Sequence, residues 1–141
     1  MHVQEIIDRV GAKVLGVGKA ILQADPASEA AEEIEHLRGE QARQDDRLAT
    51  LRGQVAVVMQ RLAENESAAA RLHDEVASSV SRNKPAQAMR QALELDGLRR
   101  EIDSDRGALK RLEHAVWCLE FRLRQLVRRM ERMREDPSER T

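Results

Sequence analysis

The feature that most constrains this chain is an unbroken alternation of three and four residues between inward positions. It runs through Ile34, Leu37, Gln41, Gln44, Leu48, Leu51, Val55, Val58, Leu62, Asn65, Ala69, Leu72 and Val76. A second series follows through Leu95, Leu98, Ile102, Asp105, Leu109, Leu112, Val116, Leu119, Leu123, Leu126, Met130 and Met133. An α-helix turns once per 3.6 residues, so each series lines one helix face, and a mean step of 3.5 is the repeat of a coiled coil. Gln41, Gln44, Asn65 and Asp105 interrupt the apolar seam. Polar seam positions reduce stability but help fix register.

Composition agrees with thin burial between long helices. Charged residues make up 35% of the 141, against about 25% in ordinary domains. There is one Trp, one Phe and no Tyr. Between the two series lies "SSVSRNKPAQ", residues 78 to 87. Its serines and Asn83 compete with helical backbone bonds, and Pro85 suits the first turn of a new helix. The expected fold is all-α. An N-terminal amphipathic helix over 1–24 leads into a long antiparallel coiled-coil helical hairpin over 25–135, and a polar tail covers 136–141. The arms are expected over about 27–80 and 86–135, with the turn at about 81–85.

Charge favours the antiparallel arrangement. Residues 27–80 carry 11 acids and 6 bases, whereas 81–141 carry 15 bases and 11 acids. Folding about residue 83 sets Glu29, Glu32, Glu33, Glu35, Glu40, Asp45 and Asp46 beside Arg122, Arg124, Arg128, Arg129, Arg132 and Arg134. Each exposed pair is worth a few tenths of a kcal/mol, but the opposite arrangement would oppose like charges. The same arginines are candidates for anion contact with nucleic acid or lipid phosphate. Pairing with the acidic arm is the favoured reading. Beyond Phe121 nothing supplies aromatic stacking, so a nucleic-acid partner is not expected.

The segment "VGAKVLGVGKAILQADP", residues 10 to 26, belongs to a different pattern. Val3, Ile6, Ile7, Val10, Val14, Val17 and Ile21 fall on one helical face. Glu5, Asp8, Arg9, Lys13 and Lys19 fall on the other. Gly11, Gly16 and Gly18 each cost about 1 kcal/mol of helix propensity relative to Ala. Asp25-Pro26 marks a boundary and a new helix start. Such a helix depends on its surroundings. An interfacial membrane helix would insert its apolar face and set Arg9, Lys13 and Lys19 against lipid phosphates. A helix packed on the hairpin is the other reading, and residues 2–24 carry a net charge of only +1.

Val57, Met59, Met89, Leu93, Trp117 and Phe121 lie off both seams and would be exposed in a monomeric hairpin. Exposed apolar stripes mark partner surfaces, so these residues are candidates for an oligomer interface. The alternative is that a third helix covers them. Catalytic chemistry finds no constellation. His2, His36, His73 and His114 lack metal-ligand spacing, and Cys118 has no partner cysteine. The glycines of the first segment precede neither Gly-Lys-Thr nor a strand. A non-enzymatic protein with no cofactor or metal is expected. A single cysteine, no apolar run of about 20 residues and no secretory signal suggest a cytoplasmic protein, soluble or peripheral.

The layout resembles the phage-shock-protein A family. That family includes the vesicle-inducing protein of plastids and is similar in fold to ESCRT-III membrane-remodelling proteins. "KAILQADP" (19–26) looks like the junction between that family's amphipathic helix and its hairpin. "KPAQAMRQALELDGLRREI" (84–102) looks like the start of its second hairpin arm. Members carry further helices after the hairpin, used to bridge subunits, which this sequence does not include. The resemblance implies a non-enzymatic, self-assembling scaffold, peripheral on the inner face of the membrane. Its partners would be other copies of itself and a membrane surface of anionic lipid, with other coiled-coil proteins as further candidates. A soluble coiled-coil adaptor or assembly subunit is the alternative.

Overall fold

A computed structural model describes residues 26–135. The N-terminal segment 1–24, Asp25 and the tail 136–141 lie outside the described residues. Two long helices make up the described chain, α1 (Pro26–Ser81) and α2 (Pro85–Arg134). Each begins on a proline, whose fixed φ suits a first helical turn and whose missing N–H is not needed there.

The connection is three residues long and closes both helix ends. Asn83 adopts a left-handed conformation with φ 53°. This lets the Lys84 N–H reach back to the Ser79 carbonyl at 2.9 Å and the Asn83 N–H to the Val80 carbonyl at 3.1 Å. Those two bonds are the Schellman closure of a helix C-terminus, with asparagine in the place glycine usually takes. The Lys84 carbonyl then accepts the Ala88 N–H at 3.0 Å, which starts α2. Beside the turn, the Ser79 hydroxyl donates to Gln91 Oε1 at 2.6 Å. Ser79 and Ala88 are both buried, so two small side chains let the helices converge where they leave the turn.

The chain divides into two compact units. One holds Arg43–Arg124 and includes the turn; the other joins the described residues up to Ala42 with those from Gln125 onward. In the turn unit α1 and α2 run antiparallel. With Leu48 and Leu95 taken as heptad position a, every a and d residue from Ala30 to Ser79 and from Ala88 to Met133 is buried or half-buried, and Ala27 in the first turn of α1 is exposed. Leu48, Leu119 and Leu123 form a buried cluster with Leu51 and Val116 packed against it. Val58, Leu95 and Ile102 extend the buried seam towards the turn. In the other unit Leu37 and Met130 are buried, and Arg129 Nη2 donates to Glu33 Oε1 at 3.4 Å. No large side chain among the described residues is completely enclosed. A seam between two helices hides one face of each and nothing more, so each leucine gains less than the about 1.5–3 kcal/mol of full burial.

Candidate interaction surface

Ion pairs flank the seam of the turn unit. Arg52 Nη2 donates to Glu120 Oε1 at 3.4 Å, and Arg106 Nη2 to Glu66 Oε1 at 2.9 Å. All four residues occupy heptad position e, which faces its counterpart in an antiparallel pair. Their exposure limits each pair to a few tenths of a kcal/mol. Arg61 and Asp105 are a different case. Two parallel bonds join them, from Nε to Oδ2 at 2.9 Å and from Nη2 to Oδ1 at 2.8 Å. Asp105 occupies a d position within the seam and its side chain is only 12% exposed. The Arg61 hydrogen bonds hold its carboxyl below the usual carboxylate range, against partial burial, which pulls the other way. The same bonds push the Arg61 guanidinium up. The polar lapse in the second seam is thus a fixed bidentate pair that pins one helix to the other.

The six apolar residues named from the sequence all lie in the turn unit, and all are exposed. They do not gather into one patch. Met89 and Trp117 occupy position b of α2, and Leu93 and Phe121 occupy position f, so these four share the outer face of that helix. Around Trp117 three rings follow one another along this face. The His114 and Trp117 rings stack with centroids 6.4 Å apart and planes 20° apart. Trp117 and Phe121 stack at 6.0 Å and 19°. Cys118 Sγ lies 3.5 Å from His114 Nε2, inside the same cluster.

Shallow grooves border the seam, and two of them take in off-seam apolar residues. One, of about 210 Å³, is lined by Arg52, Val55, Glu113, Val116, Trp117 and Glu120. The other, of about 540 Å³, is lined by Thr50, Gly53, Gln54, Val57, Val58 and Leu112. Val57 therefore belongs to a different groove from Trp117. Met59 stands at position e of α1. Val80, 65% exposed, stands at position e three heptads later and was not singled out from the sequence. Its equivalence to Met59 by a 21-residue spacing was the available signal.

The candidate membrane-contact residues Val3, Ile6, Ile7, Arg9, Val10, Lys13, Val14, Val17, Lys19 and Ile21 lie outside the described residues. Of the candidate anion-contact arginines, Arg122 and Arg124 are exposed in the turn unit. Arg128, Arg129, Arg132 and Arg134 are exposed in the other. Arg129 is committed to Glu33. No group of three His, Cys, Asp or Glu among the described residues is placed to hold a metal ion. No helix among them is long and apolar enough to cross a membrane. Compared with known proteins, the chain matches no family model, no curated protein and no solved structure.

Proposed function

We propose that this chain is a non-enzymatic, self-assembling scaffold of the phage-shock-protein A and ESCRT-III-like type. It associates through the exposed apolar residues of its hairpin and binds a membrane surface through residues 1–24. The observation that carries the association is the Trp117–Phe121 stack, 59% and 46% exposed on a helix whose seam is already satisfied. Large aromatic side chains contribute heavily to interfaces, and leaving two of them in water has no structural return in a monomer. The membrane role draws its support from the sequence of residues 2–24, whose seven aliphatic residues and five charges segregate on a helical wheel. One copy would bind weakly, and an assembly would multiply that affinity. The corresponding place in the cell is the inner face of the cytoplasmic membrane.

A second reading makes the chain a soluble coiled-coil adaptor or assembly subunit, with residues 2–24 packed on the hairpin rather than on lipid. The small net charge of that segment favours it. Co-sedimentation of the full chain with anionic phospholipid vesicles separates the two. The scaffold reading expects the wild type to pellet and a Val10→Glu, Val17→Glu double variant to remain in solution. Equal behaviour of the two proteins would remove the membrane role.

A further inference from the structure

Met89 and Leu93 are 63% and 66% exposed, and they occupy the same two heptad positions as Trp117 and Phe121. The offset from Met89 to Trp117, and from Leu93 to Phe121, is 28 residues, which is four whole heptads. The outer face of α2 therefore carries an apolar pair at each end, about 42 Å apart from Met89 to Trp117 at 1.5 Å per residue. Between the pairs the same face presents Asp96, Arg100, Asp103, Gly107, Lys110 and His114. Read from either end, the order is two apolar residues, a charged middle, and two apolar residues.

We infer that the partner of this face is a second copy of the same chain, lying antiparallel about a two-fold axis at residue 105, with Met89 and Leu93 of each copy packed on Phe121 and Trp117 of the other. The inference rests on the self-association proposed above and specifies its geometry. Area supports it. Aromatic side chains bury about 150–250 Å² each, so two aromatics, a Met and a Leu at these exposures offer on the order of 500 Å² per copy. The pair then buries on the order of 1,000 Å², the threshold for a specific interface.

Charge selects the orientation. In the antiparallel register Lys110 of one copy falls level with Arg100 of the other, with Asp96 and Asp103 about one turn to either side. Asp96 already holds Arg100 of its own helix at 3.0 Å, so the middle of the interface is a network of alternating sign. A parallel pairing would set Asp96 on Asp96 and Lys110 on Lys110, which is destabilising at close range. The flanking c positions meet across the same interface, where Cys118 of one copy lies about 7.5 Å along the axis from the level of Gly97 of the other, nearer than any other pairing of these two positions. A Cβ added at Gly97 meets no atom within 4 Å in the single chain, so that position accepts a side chain.

The test is a Gly97→Cys variant of the full chain, treated with a hexane-linked bis-maleimide and mapped by mass spectrometry after light scattering. Residues 97 and 118 of one helix are about 32 Å apart, so any 97–118 linkage joins two copies. The expected result is a dimer carrying the 97–118 linkage, together with a helical but monomeric Leu93→Glu variant. A dimer linked 97–97 and 118–118, or one with no linkage, overturns this arrangement and leaves self-association standing. A chain that is monomeric at every concentration overturns both. Trp117 is the sole tryptophan, so its fluorescence provides a further arm. A monomer whose emission shifts to the blue on adding anionic vesicles gives the face to lipid and overturns the pairing.

Discussion

The two helices share one seam, yet their outer faces differ. Along α1 in the turn unit, position b is Ala49, Ala56, Ala63, Ala70 and Ala77, and all five are exposed. Along α2 in the same unit this position holds Met89, Asp96, Asp103, Lys110, Trp117 and Arg124. Alanine at an exposed position supports the helix through propensity alone and offers a partner little to bury. A run of alanines therefore keeps α1 helical with a bland back. The back of α2 gives up that economy and exposes Trp117 and Leu93 to water. The seam explains why the chain is a hairpin, and the difference between the two backs is what the proposed association rests on.

Breaking the seam and breaking the outer face should give separable results. The largest effect is expected for Leu119→Ala, which removes the centre of the Leu48–Leu119–Leu123 cluster. Denaturant unfolding should show a loss of about 2–3 kcal/mol, the lower part of the range for buried leucine because the seam is thin. Trp117→Ala, outside the seam, should change the stability of the isolated hairpin by less than about 0.5 kcal/mol. A comparable loss for both variants would mean that Trp117 belongs to the core.

The turn comes next in size. Asn83→Val places a β-branched residue at φ 53° and should destabilise the hairpin by about 1–2 kcal/mol, whereas Asn83→Gly should be neutral or slightly stabilising. Thermal unfolding of the two variants in parallel separates backbone strain from loss of the asparagine side chain. On the back of α1, Gly53→Ala meets nothing within 4 Å and should gain about 0.5–1 kcal/mol.

The smallest effect is a pH dependence. Arg61 lowers the folded-state pKa of Asp105 below its unfolded value. The stabilisation from this pair is therefore fully present above the unfolded carboxylate pKa, about 3.9, and is lost as pH falls through the lower folded value. The stability difference between the wild type and Asp105→Asn should narrow as pH is lowered from about 5 to about 2. A difference that stays constant over that range would show that Asp105 contributes by shape rather than charge.

Much of the hairpin was legible because burial between two helices is periodic. Residues spaced by three and four from Ile34 to Val76 and from Leu95 to Met133 are all buried or half-buried in the structure. The six off-seam apolar residues were legible as exposed for the same reason. Packing near the turn was harder to read. Ser79, Ala88 and Gln91 continue the seam there, but small and polar side chains carry no hydropathy signal. Asp105 read as a lapse, since its partner Arg61 lies 44 residues away and only the fold brings them together. The acidic start of α1 set beside the arginines of α2 is represented by Arg129 and Glu33 at 3.4 Å, a weak exposed pair. A difference between two outer faces is also hard to see before the seam has been assigned, because the faces are defined only by reference to it.

Sedimentation equilibrium on the full chain carrying matched charges on the two backs tests the central claim most directly. Trp117→Glu and Ala63→Glu each place one acid at position b, on α2 and α1 respectively. The account predicts an associated wild type, an Ala63→Glu variant of the same mass, and a Trp117→Glu variant reduced to the monomer with its helicity intact. Equal masses for the two variants, or a wild type that is already monomeric, would contradict it.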